Sequence, residues 1–489
     1  MNDIHNMNER NGSFPYSRRE VLKTAAAVST LPLPFVGRAN ALQTLPKLPG
    51  VNFMTASDPR NGPDFEGYSA ETFVVPRLRA LCHSAQGVGN AVKWAAETGK
   101  GFAIRSTGHD FAGHSQHEDL VIDTSPLNTI KIPGDGKQVT VGAGARNGAI
   151  SIALAKAGRI LGGGTFGSVG AAGITLGGGI GHFSRLTGML CDQLESLELV
   201  DASGALRHVS AKNDPELFWA LRGGGGGSFG AVTALTYRTT SAPSLTYVDA
   251  PVAVPAVDGA RILHDWQHWL QQLPRSMTLH LLVMRYGGGD VLLKLTGQSL
   301  ESASVTKKHI EKLFGPGNPV RDQWLTQAPA ADIMQRLYGH PHYVTPLYLA
   351  SRSQIIAEPV PLSGIADLLY ALVSHPPRAL SVNFEGIGGA TGNVDKAATA
   401  FPHRAATAIV HCNNVALDAT GLEPARFAMP GVMKSLAPHA TGGVYVNYPE
   451  ADLENWAEAY WGGNLPRLRE IKRKYDSSNL FRHAQSIPL

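Results

Sequence analysis

The sequence predicts an α+β protein of two globular domains, the second inserted into the first. Three patterns carry that expectation. Over residues 73–240 short apolar strands alternate with helices. Over residues 250–420 the strands lengthen and amphipathic helices follow them, as in an antiparallel sheet backed by helices. After Gly443 the chain returns to the style of its first part. A hydrophobic content of 43% suits a soluble chain. A net charge of only +4 over 489 residues, with no basic patch interleaved with aromatics, argues against nucleic acid as a partner.

Residues 1–41 read as an export signal. Ser17-Arg18-Arg19-Glu20-Val21-Leu22-Lys23 is a twin-arginine pattern, and Ala39-Asn40-Ala41 is a small-x-small cleavage site. The apolar run between them, residues 24–37, is too short and Pro-broken to span a bilayer. The twin-arginine translocation machinery carries proteins already folded, usually around a cofactor. The expectation is therefore a periplasmic or secreted protein, holding a cofactor, with no stable membrane insertion. Residues 42–72 read as a lead-in.

Within 73–243, residues 86–97 place Val88, Ala91, Val92, Ala95 and Ala96 on one helical face. Residues 101–106, 120–124 and 138–143 read as strands, and 149–157 as a helix with Ile150, Leu154 and Ala157 inward. In the second domain, 244–440, strands are expected over 276–286 and 290–296, with helices over 302–314 and 365–374. The closing segment, 441–489, reads as a strand through Tyr445 and Asn447, then helices over 453–460 and 465–475. Cys82, Cys191 and Cys412 are widely spaced with no C-x-x-C, which favours three buried thiols over a disulfide framework or zinc site.

Ten glycines fall within residues 162–181. Gly162, Gly164 and Gly167 spell G-x-G-x-x-G, but more glycine follows instead of an amphipathic helix, so no helix N-terminus is expected to hold a pyrophosphate. Such backbone suits close approach to a large flat ligand, with amide N–H groups making the contacts. Residues 222–230 can do the same. Ahead of both runs lies a polar loop with His109, His114 and His117, whose spacing gives no i, i+4 pair, so no metal is expected.

Arg105-Ser106-Thr107-Gly108-His109-Asp110 and the strand after it, the run 170–181, the stretch 222–233 and Phe401-Pro402-His403-Arg404 occur in a telling order. Tyr445-Val446-Asn447-Tyr448, Asn479-Leu480-Phe481 and Gln485-Ser486-Ile487-Pro488 follow them. Together they resemble the berberine-bridge-enzyme-like oxidases of the vanillyl-alcohol-oxidase, or PCMH-type, flavoprotein superfamily, over essentially all of the chain after the signal. The resemblance implies a PCMH-type FAD domain built from N- and C-terminal segments, with an inserted substrate domain. It implies FAD bonded covalently through His109. The second tether of many relatives, a cysteine, corresponds to Phe166 here, and Cys191 lies past the glycine run, so His109 alone is expected to bond it. Cofactor contacts are implied for Arg105, Ser106, Thr107, Gly108, Asp110 and Ser115. Further along they fall on Ser168, Val169, Gly170, Gly173 and Gly177, then on Val232, Asn447 and Asn479. An imidazolyl substituent withdraws electrons and should raise the flavin potential.

Oxidising a CH–OH or CH–N group requires a base for the proton that leaves with the hydride. The resemblance points to Tyr448, whose phenol, ordinarily near ~10, would need a downward shift of about two to three units. Some relatives carry a glutamate on the strand after Phe-Pro-His-Arg, but residues 408–414 hold no carboxylate, leaving His411 or Asn413 to line a pocket. Tyr448, Tyr445 and His411 are thus the catalytic candidates, whereas His340, His342 and Glu385 read as loop residues. The implied activity is an oxidase acting on a small, secondary-metabolite or sugar-like substrate. It would pass electrons to dioxygen, with small Val169 leaving room for oxygen. A dehydrogenase with another acceptor, or a flavin-loaded binding or resistance protein with little turnover, are the alternatives.

Overall fold

The computed structural model describes residues 45–62, 65–340, 346–375 and 380–489. The twin-arginine segment, and Pro341, His342 and Tyr343, lie outside the described residues.

Three sheets organise the chain. The first holds β1 (Val51–Met54), β2 (Leu78–Cys82), β3 (Phe102–Arg105) and β4 (Leu120–Asp123) in the order β1-β2-β4-β3. Its last three strands are parallel, so they need a crossover, and helix Ala85–Glu97 supplies one. Ser84 caps that helix by accepting from the Gly87 N–H, and Val88, Ala91, Val92 and Ala95 pack on Phe102, Leu120 and Ile122. Ala96, expected inward, is exposed, because the turn of about 100° per residue that buries Ala95 carries its neighbour to solvent. Ala157 is exposed too, as the C-cap of helix Asn147–Lys156. The segment read as a lead-in contributes β1 to this sheet.

The second sheet is antiparallel, with β5 (Ile130–Lys131), β6 (Gln138–Gly142), β8 (Leu194–Val200), β9 (Leu206–Ser210) and β10 (Ala231–Arg238). Their order is β5-β6-β10-β8-β9, and β7 (Arg159–Ile160) pairs separately with β11 (Thr240–Ser241). The C-terminal helices Trp456–Trp461 and Leu465–Tyr475 bury Tyr460, Trp461, Leu468 and Ile471 in the same core as Val139, Leu197 and Leu235. Buried Lys472 pairs with Asp476 at 2.6 Å and donates to the carbonyls of Ser228 and Phe481, tying the chain end to the second glycine cluster. The two ends of the chain therefore share one core.

The third sheet has seven antiparallel strands. They are β12 (Ser244–Pro255), β13 (Met277–Gly287), β14 (Asp290–Ser299), β15 (Leu325–Pro329), β16 (Tyr348–Ile356), β17 (Ser381–Gly386) and β18 (Ala408–Ala416), in the order β15-β12-β14-β13-β17-β18-β16. On one face Val248, Leu281, Leu293, Phe384 and Val410 pack under helices Ala256–Gln272, Leu362–Val373 and Ala419–Leu436. Strand alternation turns their neighbours Asp249, His280, Lys294, Glu385 and His411 to the other face, where a cavity lies.

Two expectations fail here. Residues 445–450 form a turn, not a strand: the Tyr445 N–H goes to Ser353 Oγ, and the Tyr448 N–H donates to the Tyr445 carbonyl at 2.8 Å. The glycine run also contains a helix, Ala171–Leu176, because Ala-Ala-Gly-Ile-Thr-Leu buries Ala171, Ala172 and Leu176 against the second sheet.

Candidate active site

The glycine runs, the His109 loop and the polar face of the third sheet enclose a cavity of about 1600 Å³. A Cβ on Gly181 would overlap the Gly163 carbonyl, so the first run is folded backbone against backbone. A Cβ on Gly173 would meet nothing within 4 Å, and Gly173 lines the cavity: here bare backbone faces open space.

The loop after β3 presents His109. Gly108 turns the chain with φ +78°, where a Cβ would strike the Arg105 guanidinium. The His109 ring stacks on Tyr68 at 4.0 Å, and its Nδ1 lies 3.1 Å from Ser168 Oγ. Burial pushes its pKa down to about 3, so the imidazole is neutral and keeps a lone pair. Around it Ser106 donates to the Ala143 carbonyl, Thr107 donates to the Ser168 carbonyl, and Asp110 accepts from the Ser115 N–H and hydroxyl. The Phe166 ring stands 6.0 Å from His109, and Val169, Gly170 and Val232 line the same wall.

Three residues assigned to the cofactor do not line this wall. Arg105 turns beneath it to the Phe65 carbonyl and toward Asp123. Gly177 packs on the Asn447 side chain, and Asn479 sits in a tight turn at φ +51° with its N–H on Asp476. Tyr68 was missed: it lies in the supposed lead-in and is brought in by an isolated bridge between Ser69 and Leu347, which no local pattern announces.

Across the cavity stands a carboxylate that the sequence reading left in a loop. Glu385 lies on β17, where Ser381, Asn383 and Glu385 face the cavity while Val382 and Phe384 face the core. That alternation, with one acid on the open face, was the available signal. Tyr448 donates its hydroxyl hydrogen bond to both Glu385 oxygens, at 2.8 and 3.0 Å. Burial raises the Glu385 pKa to about 7, partly offset by that bond. Burial, and then the Glu385 charge, push the Tyr448 phenol well above its ordinary value, the reverse of the shift a tyrosine base needs.

The other two catalytic candidates are also spoken for. His411 stacks on the Tyr448 ring at 3.8 Å and 8°. Its Nδ1 meets the Asn413 amide nitrogen at 2.9 Å, which makes Nδ1 the acceptor and leaves Nε2–H for Ser351 Oγ, also at 2.9 Å. Both nitrogens are engaged, and burial holds the pKa down at about 3. Tyr445 is fully buried, and its hydroxyl accepts from the Gly179 N–H and from Asn447 Nδ2. His411 and Tyr445 therefore position Tyr448 and Asn447 and hold no free base.

Comparison with known proteins follows this geometry. Residues 76–210 match a family model described as FAD binding domain, and residues 444–488 match one described as berberine and berberine like. The chain is 32% identical over 420 residues to YgaK, an uncharacterized FAD-linked oxidoreductase of Bacillus subtilis (strain 168), covering 84% of this chain and 91% of that one. The structure of berberine bridge enzyme from Eschscholzia californica superposes with a TM-score of 0.81 at 22% identity, covering 89% of this chain and 96% of that chain. Chitooligosaccharide oxidase superposes with a TM-score of 0.79 at 24% identity, covering 89% and 97%.

Proposed function

This chain belongs to the berberine-bridge-enzyme-like family of FAD-linked oxidoreductases, and on that premise we propose an oxidase that dehydrogenates a CH–OH or CH–N group of a small-molecule substrate with Glu385 as its base. The Glu385–Tyr448 pair carries this reading: a buried carboxyl poised at about 7, facing the cavity, with a phenol donating to it.

The residues present fit FAD. A drug-sized ligand fills roughly 300–1,000 Å³, so 1600 Å³ leaves room for a large cofactor and a substrate together. Bare backbone at Gly173 faces the space where a flat ring system needs clearance. His109 is the residue that would bond it covalently, since a neutral imidazole held by Tyr68 and Ser168 keeps a nucleophilic lone pair. Phe166 lines the same cavity, and by the resemblance it takes the position of the second tether, which supports a single bond through His109. When bound, FAD supplies the hydride acceptor.

Glu385 takes the proton from the substrate O–H or N–H, and Tyr448 steadies the carboxylate and orients it. Asn447, fixed through its amide nitrogen to the Ile174 carbonyl and Tyr445, positions the wall beside them. The substrate loses two electrons and two protons, and dioxygen takes both pairs to give hydrogen peroxide.

The acceptor is tested without knowing the substrate. Chemically reduced holoprotein mixed with air-saturated buffer is expected to regain its yellow absorbance at once, with one hydrogen peroxide per flavin. A reduced protein that persists in air and is reoxidised by a quinone would instead be a dehydrogenase. We also infer export by the twin-arginine route from residues 17–23. Changing Arg18 and Arg19 to Lys together is expected to hold the protein in the cytoplasmic fraction, and unchanged fractionation would refute that route.

A further inference from the structure

One corner of the cavity is not used by this chemistry. His280 of β13 is 7% exposed, lines the cavity, and has no hydrogen-bond partner on either ring nitrogen among the described residues. His182, just after the glycine run, lines the same wall, with ring centroids 5.4 Å apart and its Nδ1 likewise buried and unmatched. A buried imidazole nitrogen without a partner is destabilising unless a bound group meets it.

The charge of this corner comes from Arg185. Its guanidinium is buried and donates to the carbonyls of Met277, Leu273 and Ile387 at 3.1, 3.0 and 3.3 Å. It makes no ion pair among the described residues, whereas buried cations are normally paired. Met277 opens the strand that carries His280, and His182 precedes Arg185 by three residues, so one cation braces both histidine segments. Burial, His182 and then Arg185 keep His280 neutral. Lys294, on the same sheet face, is already matched by Asp249 at 2.9 Å.

The corner adjoins the base. The register that pairs Leu282 with Asn383 and Leu281 with Phe384 carries His280, one step on, to the position beside Glu385. Neighbouring strands lie about 4.8 Å apart.

We infer that His182 and His280 receive a carboxylate of the substrate, each donating one N–H to it while Arg185 supplies the balancing charge. The substrate class is then a carboxylate-bearing alcohol or amine. This deepens the reading of the cavity given above and rests on it.

The test is binding, not turnover. Holoprotein is titrated calorimetrically with straight-chain carboxylates from acetate to octanoate and with their primary amides. At least one acid is expected to bind roughly tenfold or more tighter than its amide. His182→Phe and His280→Phe, compared at equal flavin content and thermal midpoint, are each expected to erase that preference. If either fails to fold, His182→Ala or His280→Ala takes its place. Equal binding of acid and amide, a preference that survives both substitutions, or no binding by any acid in the series overturns the inference. Glu385→Gln is expected to keep the preference while losing turnover. Loss of the preference in His182→Phe and His280→Phe alone leaves the oxidase standing, whereas turnover intact in Glu385→Gln would count against Glu385 as the base and leave the anchor. A chain that holds no FAD yet keeps the preference would overturn the oxidase and leave the anchor.

Discussion

Glu385→Gln is expected to lower kcat by about 10²- to 10⁴-fold, the span that a positioned general base contributes, with FAD content unchanged. Gln keeps the shape and still accepts from Tyr448, so the variant removes the proton acceptor and little else. Wild-type kcat should fall about tenfold per pH unit below about 7, where Glu385 protonates. That acid limb should vanish in the variant. Tyr448→Phe separates the two members of the pair. Tyr448 lowers the Glu385 pKa by donating to it, so its loss should move the limb to higher pH and leave substantial activity. A nearly inactive Tyr448→Phe beside an active Glu385→Gln would return the base to the phenol, as the sequence suggested.

The same carboxyl predicts a stability change of opposite sign. Its folded-state pKa is raised, from 4.5 to about 7, so it binds its proton more tightly when folded. The stabilisation it contributes is present in full below 4.5 and is lost as pH rises through about 7. Above that pH the ionised group is a net cost of order 3 kcal/mol at ~1.4 kcal/mol per unit. Glu385→Gln should therefore raise the thermal midpoint at pH 8 and not at pH 4. An equal midpoint shift at both pH values would refute the raised pKa.

His109→Ala is expected to turn a retained cofactor into a released one. Wild type precipitated in acid should keep its yellow colour and the mass of one FAD, while the variant leaves the colour in the supernatant. The variant should also have a lower flavin potential, because the electron-withdrawing imidazolyl substituent is gone. Wild type that releases its FAD freely would end the covalent reading and the argument about potential, and would leave the Glu385 chemistry untouched.

Much of this fold was legible because local periodicity coincides with burial. The strand expected over 290–296 is Asp290–Ser299, and the helix over 465–475 is Leu465–Tyr475. In these segments the apolar period alone decides what turns inward. In the glycine runs the structure shows two different environments: a Cβ on Gly181 would overlap the Gly163 carbonyl, while Gly173 lines the cavity with open space before it. The proposed base was not legible. Glu385 sits in an ordinary alternating strand, its pKa is raised by burial that no local pattern announces, and its partner Tyr448 lies 63 residues later in the sequence. Its partner was misplaced as well, because residues 445–450 have strand-like composition but give their N–H groups to Ser353 and to each other. Tyr68 and His280 were invisible for the same cause: their neighbours come from distant segments.

The two-sided third sheet has a consequence for how this protein can change. Along β13, β14 and β17, residues that pack under the helices alternate with residues that face the cavity, so the two sets can change separately. A substitution at Asn383, Lys294 or His280 alters only the cavity wall, while Val382, Leu293 and Leu281 go on packing under the helices. Substrate preference can therefore drift one alternate position at a time without passing through an unfolded ancestor. A directed library confined to those alternate positions should yield folded, flavin-loaded variants far more often than one spread evenly along the same strands.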